Sequence, residues 1–476
     1  MNGERVRYDK LFIGGDWVPG HGDGHDEVIN AADETVLATV CRGDAADVDA
    51  AVAAARSAVD SGVLADPADR VRALRALRAA LTERQDQIAE LISLEVGTPA
   101  KISQRVQVGL PLAVLDAFAE TAERYEWQTT VGNSTVLREP AGVVGAITPW
   151  NYPLHQLVAK VGGAIAAGCA VVAKPAGVAP LSAFALAEAV QAAGLPTGVF
   201  NLVPGSGRVV GEAIAGHPGV DVVSFTGSTA AGARVAQLAA ANITKVALEL
   251  GGKSANVVLD DADLARAVKT GVGNAFLNSG QTCSAWTRML VPERLQDEVV
   301  DLAAQAAKRL TLGHPLEENT RLGPLASAAQ RDTVRGYIDA GRSEGARLVC
   351  GGAEPPAGLD KGFYVEPAIF ADVRPEMRIA QEEIFGPVLA IMPYTDDEDA
   401  IRIANDSDYG LAGGVWSADT DRAWAVARRM RTGQVDINGA AFNPAAPFGG
   451  YKKSGLGREF GVFGIDEFVE TKAVQS

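Results

Sequence analysis

Ala141-Gly-Val-Val-Gly-Ala-Ile-Thr-Pro-Trp-Asn-Tyr-Pro153 decides the fold. Its centre, Val143–Ile147, is a short apolar run without polar alternation, the pattern of a strand buried on both faces. Two prolines then stiffen a loop, and the segment from Pro153 has the length and alanine content of a helix. The same unit recurs downstream. Compact apolar runs stand at Ala170–Ala173, Val199–Val203, Val222–Phe225 and Val246–Leu250, with helical segments beginning near Leu181, Arg208 and Ser228 between them. Strands spaced this way need right-handed crossovers and build a parallel sheet. The expected class is α/β, with a doubly wound, Rossmann-like domain.

Upstream, Leu11-Phe-Ile-Gly-Gly-Asp-Trp-Val18 reads as two short strands around a Gly-Gly-Asp turn. Asp66-Pro67 supplies a cap and a first-turn proline. Leu74, Leu77, Leu81, Ile88 and Leu91 then keep helical spacing until Gly97 and Pro99 end the element. Downstream, from about 255 to 453, helices near 262–277, 293–311 and 419–430 alternate with strands near 388–393, 411–416 and 434–437, which predicts a second α/β domain. The glycine-rich Phe448-Gly-Gly-Tyr-Lys-Lys-Ser-Gly-Leu-Gly457 leads into a last β-like stretch near Phe463–Lys472.

Composition excludes several classes. With 476 residues, 47 % hydrophobic and 21 % charged, the chain is an ordinary globular protein long enough to need no disulfide or structural metal. Its net charge of −16 repels phosphate backbones, so nucleic acid is not an expected partner. Met1 to Lys10 has no apolar signal region. The longest apolar run, Val161–Ala173, falls short of the ~20 residues that span a bilayer, so no membrane is expected. The four cysteines (Cys41, Cys169, Cys283, Cys350) lie far apart without metal-ligand spacing, so no metal is expected and the expected setting is a reducing cytoplasm.

Four segments carry chemistry. Cys283 sits in Asn278-Ser-Gly-Gln-Thr-Cys-Ser284, among small polar neighbours, whereas Cys169 in Gly168-Cys-Ala-Val-Val has the surroundings of an inert core thiol. The glycine near Cys283 is expected to let a substrate approach, making the thiol a candidate nucleophile; an inert thiol is the other reading. In Leu248-Glu-Leu-Gly-Gly-Lys-Ser254 a carboxylate ends an apolar strand. Burial would raise Glu249 towards neutrality and suit a general base, while pairing with Lys253 or Lys174 is the structural alternative. Asn151, on a stiff loop at a strand's C-terminal end, is either an oxyanion donor or an Asx-turn residue before Pro153. Phe225-Thr-Gly-Ser-Thr-Ala-Ala-Gly232 runs from strand through turn to helix start, a natural phosphate cradle. The five histidines form no site, although His155 lies near Asn151.

In order, Thr148-Pro-Trp-Asn, Lys174-Pro, Phe225-Thr-Gly-Ser, Leu248-Glu-Leu-Gly-Gly-Lys, Gly280-Gln-Thr-Cys, Glu382-Glu-Ile-Phe-Gly-Pro and Pro447-Phe-Gly-Gly resemble the aldehyde dehydrogenase superfamily over nearly the whole chain. The resemblance implies an NAD(P)-dependent enzyme that oxidises an aldehyde to the acid through a cysteine thiohemiacetal and thioester. Cys283 would be the nucleophile, Glu249 the base, and the Asn151 amide with the Cys283 N–H the oxyanion hole. Lys160 and Glu459 would form a proton path from Glu249. Lys174 would hold the adenosine ribose, Ser228 a pyrophosphate oxygen, Glu383 the nicotinamide ribose, and Phe385 the nicotinamide. Further cofactor contacts are implied at Ile147, Thr148, Pro149, Trp150, Gly207, Phe225, Gly227, Leu250 and Gly251. It also implies a cofactor domain of residues 1–120 and 141–250, a catalytic domain of 251–453, and a small β oligomerisation arm of 121–140 and 454–476 that builds a dimer or a tetramer.

One departure bears on the cofactor. The family often has Lys-Pro-Ser-Glu where this chain has Lys174-Pro-Ala-Gly177, which removes a carboxylate that attracts the 2′-hydroxyl of NAD and repels a 2′-phosphate. NAD is expected, with NADP also accepted. Relatives that acylate coenzyme A commonly lack the glutamate at Glu249, so its presence favours hydrolysis to the acid. A CoA-acylating or semialdehyde-specific relative, a thiol esterase and a non-catalytic binding protein on the same fold are the alternatives. Tyr152, His155 and Phe448 are expected to line a tunnel left roomy by Ala159. No Arg or Lys is evident for a substrate carboxylate, which points to a medium-sized apolar or aromatic aldehyde.

Overall fold

The computed structural model describes residues 6–476; Met1–Arg5, which open both the 1–120 segment and the stretch without a signal region, lie outside the described residues. The five apolar runs form strands β1 (Val143–Ile147), β2 (Ala170–Lys174), β3 (Phe200–Leu202), β4 (Val222–Thr226) and β5 (Lys245–Glu249). They pair in parallel in the spatial order 3-2-1-4-5, so the strand order reverses between β1 and β4. In doubly wound sheets that reversal opens a crevice at the strands' C-terminal ends. Helices α1 (Pro153–Ala167), α2 (Leu181–Ala192) and α3 (Thr229–Ala240) are the crossovers. The β3–β4 connection is shorter than expected, a π-helical turn Gly207–Gly211 followed by the four-residue helix Glu212–Ala215. The predicted hairpin, Lys10–Ile13 with Asp16–Pro19, extends one edge of this sheet.

Helix α1 starts on Pro153 and stops at Gly168, whose φ of +91° closes the turn in the left-handed region that glycine favours. A Cβ there would stand 2.8 Å from the Arg70 guanidinium. The element drawn from Pro67 to Gly97 is two helices, Pro67–Glu83 and Gln85–Val96, broken at Arg84 with φ −107° and ψ 5°. The apolar spacing hides the break, because Leu81 and Ile88 are both fully buried on either side of it.

The second sheet contains β6 (Ala255–Val258), β7 (Arg288–Pro292), β8 (Arg347–Cys350), β9 (Ala368–Ala371), β10 (Val388–Tyr394), β11 (Gly413–Trp416) and β12 (Asp436–Ile437), in the order 8-9-10-7-6-11-12. Only β8 runs antiparallel to its neighbour. The predicted helices stand at Leu264–Ala275, Gln296–Ala307 and Thr420–Ala427; Ala328–Ser343 and Asp397–Asn405 were not foreseen.

The tail corrects an expectation. Gly455–Leu456 pairs antiparallel with β5, Gly461–Asp466 is a short helix, and only Val469–Gln475 is the last strand. Phe463 therefore lies on a helix and not on an apolar strand edge. The last strand joins Gln128–Val131 and Ser134–Pro140 in a separate three-stranded sheet. Among the described residues no helix is long and apolar enough to cross a membrane.

Candidate active site

The crevice between β1 and β4 collects the ends of three strands: Asn151 follows β1, Gly227-Ser228 follows β4, and Glu249 closes β5. Cys283 arrives from the segment between β6 and β7 of the second sheet, on a loop held in an unusual backbone path. Asn278, Ser279 and Gly280 all have positive φ (53°, 57° and 74°). Side-chain bonds over-determine that strain. Asn278 Nδ2 donates to the Asn151 carbonyl at 2.9 Å, Gln281 Nε2 to the Asn278 carbonyl at 3.1 Å, and the Ala326 N–H to Gln281 Oε1 at 2.8 Å. Gly280 packs on the Gly386 backbone, where a Cβ would collide. This corrects the expectation that the glycine admits substrate: it lets two loops touch.

Asn151 is 3 % exposed, and its amide Nδ2 donates to the Gln281 carbonyl at 2.9 Å. This bond fixes the side chain toward the Cys283 loop and leaves the second amide hydrogen for another acceptor. Two cavities meet at Cys283, one of about 490 Å³ lined by Tyr152, His155, Trp286 and Phe448, and one of about 220 Å³ lined by Trp150, Ser228, Glu383 and Phe385. Among the described residues Cys283 is the one that lines both. Burial, with the charges of Glu383 and Glu249, pushes its thiol up to about 12, so the resting group is the neutral thiol.

Glu249 is 5 % exposed, and neither carboxyl oxygen has a partner among the described residues. Burial and then the charge of Glu459 raise it well above the ordinary carboxylate value, with Lys160 and Arg458 acting against them. Pairing with Lys253 or Lys174 is thereby overturned: those amines are pulled down by burial, to about 7 and about 8. Gly449 makes room for the carboxylate, since a Cβ there would stand 2.6 Å from Glu249 Oε1. Behind it, the buried Lys160 Nζ donates to Glu459 Oε1 at 2.7 Å.

On the smaller cavity, Pro149, Trp150, Gly227, Ser228, Leu250, Gly251, Glu383 and Phe385 are brought together. Ser228 caps α3, accepting from the Ala231 N–H at 3.3 Å. Glu383 Oε1 accepts from the Gly252 N–H at 3.0 Å, and burial lifts this carboxyl to about 7. Phe385, at φ 58°, meets Trp150 edge-on with centroids 5.3 Å apart. Ile147, Thr148, Lys174, Gly207 and Phe225 lie outside that lining; Gly207 is an exposed member of the π-helical turn.

Sequence reading missed Gln330, whose Nε2 donates to the Phe385 carbonyl at 2.9 Å and holds the turn that presents that ring. It also missed Arg105, Asn274 and Asp436 on the larger cavity. Arg105 sits on a π-helical stretch, Ser103–Val108, that no side-chain pattern announces. Ala159 is a core residue, not a lining one.

Comparison with known proteins gives the family and the fold. The model of the Aldehyde dehydrogenase family matches residues 17–474. A 3-succinoylsemialdehyde-pyridine dehydrogenase from a Pseudomonas species is 49 % identical over 98 % of each chain. A mutant of aldehyde dehydrogenase C from Pseudomonas syringae, solved with NAD+ and octanal, superposes with a TM-score of 0.98 at 48 % identity, covering 100 % of this chain and 99 % of that one. An aldehyde dehydrogenase from Mycobacterium tuberculosis, solved with NAD+, gives a TM-score of 0.97 at 45 % identity and 99 % coverage of both.

Proposed function

The chain belongs to the aldehyde dehydrogenase family and oxidises an aldehyde to the carboxylic acid with reduction of NAD; we propose that Cys283 is its nucleophile, Glu249 its general base and Asn151 its oxyanion donor. The observation that carries the reading is the position of Cys283 where the two cavities meet, with the fixed Asn151 amide on the wall of the smaller one; Glu249 lines neither cavity, but its unpartnered carboxyl is near enough for its charge to act on the Cys283 thiol.

The smaller cavity suits part of a dinucleotide. The capped N-terminus of α3 presents free N–H groups to a pyrophosphate, and Glu383 offers a carboxyl to a ribose hydroxyl. Lys174, outside that lining at the end of β2, is a buried amine without an ion pair among the described residues and is our candidate for the adenosine ribose. NAD, when bound, supplies the hydride acceptor. The chain's own residues do the rest. The Cys283 thiol gives up its proton to solvent as its sulfur bonds to the aldehyde carbon, and the Asn151 amide with the Cys283 N–H holds the oxygen that gains charge. Once the carbon is at the oxidation level of a thioester, Glu249 takes a proton from water, whose oxygen attacks that carbon and displaces Cys283. Both additions place negative charge on one oxygen, so one pair of donors serves both. Lys160 and Glu459 continue inward from Glu249 and give its proton somewhere to go.

The test is a panel of short aliphatic, long aliphatic, aromatic and carboxylated aldehydes, each with NAD and with NADP. NADH and acid are expected to form one for one without coenzyme A, and NADP is expected to work as well. A Cβ built on the exposed Gly177 would meet nothing within 4 Å, and this position itself offers no carboxylate to repel a 2′-phosphate. NADH formation only with coenzyme A would overturn the hydrolytic reading.

We also propose a cytoplasmic homodimer or homotetramer built through the three-stranded sheet and the tail. Val131, Phe463 and Val474 are apolar and exposed there (64 %, 52 % and 45 %), which suits a covered surface. A monomeric mass in solution at working concentration would sink this assembly.

A further inference from the structure

The larger cavity, the one that would take the aldehyde, is lined by five titratable side chains: Arg105, Tyr152, His155, Cys283 and Asp436. Three are neutral near pH 7. Burial pulls His155 down to about 4 with help from Lys160, pushes Cys283 up to about 12, and raises the Tyr152 phenol, whose hydroxyl is engaged with Thr282 Oγ1 at 2.7 Å. The charges facing this cavity are therefore Arg105 and Asp436.

These two are not equivalent. Arg105 is exposed, and a charge in that setting is screened by water and salt. Asp436 lies on β12, is partly buried, and makes no ion pair among the described residues. Burial raises its carboxyl above the ordinary carboxylate value, and the bond that its Oδ1 accepts from Gln434 Nε2 at 2.9 Å acts against that shift. No partner in the structure occupies Oδ2. A less screened carboxylate should govern the field inside the cavity over an exposed guanidinium.

We infer that Asp436 is a specificity-determining residue, selecting aldehydes whose far end carries a positive charge or an N–H donor and disfavouring those that end in a carboxylate. The inference rests on the aldehyde dehydrogenase reading above and adds a substrate class to it. The other walls fit such a molecule, because Tyr152, Trp286, Phe442, Phe448 and Phe460 supply apolar surface along which a chain can lie.

Three aldehydes of similar length test it: hexanal, 6-(trimethylammonio)hexanal and 6-oxohexanoate, each assayed for kcat/KM with saturating NAD. The purified enzyme should prefer the cationic over the anionic aldehyde by about tenfold or more, and Asp436→Asn should reduce that ratio by about tenfold. Arg105→Gln, at an exposed position, should raise the ratio by no more than about threefold. A ratio unchanged in Asp436→Asn, a wild-type preference for 6-oxohexanoate, or a larger effect at Arg105 than at Asp436 would overturn the inference. Should Asp436→Asn not fold, the wild-type order and the Arg105→Gln shift decide alone. Failure to oxidise any of the three, including hexanal, would instead count against the underlying enzymatic reading.

Discussion

Cys283→Ala is expected to lose aldehyde oxidation by roughly 10⁴-fold or more, since no other group can form the covalent intermediate. The nearby hydroxyls do not substitute. Thr282 Oγ1 is bound to the Tyr152 hydroxyl at 2.7 Å and donates to the Leu277 carbonyl at 3.1 Å, and an alcohol needs a base in contact to become a nucleophile. The loop should survive the change, because Asn278, Gln281 and Asn151 hold it and the Cys283 side chain does not. The variant should therefore still bind NAD, read by quenching of tryptophan fluorescence, while single-turnover NADH formation vanishes. Retained turnover above about a hundredth of wild type would remove Cys283 from the chemistry.

The sequence makes the sheet around β1 to β5 readable because short, mostly β-branched apolar runs recur at regular spacing with longer, alanine-rich segments between them, so length and residue type separate strand from helix. The same logic fails in the tail. Gly461–Asp466 is short and apolar enough to resemble a strand, and periodicity cannot separate the two at that length. The break at Arg84 is invisible for a related reason: its flanking leucine and isoleucine keep one buried face across two helices. For the site, Cys283, Glu249 and Asn151 are legible through their motifs, but what makes them a site is long-range. Gly449 leaves space for Glu249 in a tail whose Gly455–Leu456 pairs with β5, and no local pattern announces that pairing. Asp436 and Arg105 are harder still, being ordinary charged residues until folding places them on one cavity wall with Cys283.

Glu249→Gln should slow steady-state turnover by about 10²–10⁴-fold while sparing the first half of the reaction. Glutamine keeps the shape of the side chain and removes its basicity, so acylation of Cys283 should proceed and hydrolysis of the thioester should stall. Rapid mixing is then expected to show a burst approaching one NADH per active site, followed by a slow phase. Loss of the burst in proportion to the slow phase would mean that Glu249 acts on the thiol and not on water. The pH dependence has a definite sign. The carboxylate is the base, and burial together with the Glu459 charge raises the pH at which it forms. Wild-type deacylation should therefore rise with pH across that elevated value, and Glu249→Gln should lose this limb. Glu459→Gln removes a like charge and leaves Lys160 with a neutral acceptor in place of a carboxylate, both of which favour ionised Glu249. The limb should accordingly move to lower pH in Glu459→Gln, a shift that a purely structural role for the Lys160–Glu459 pair would not produce.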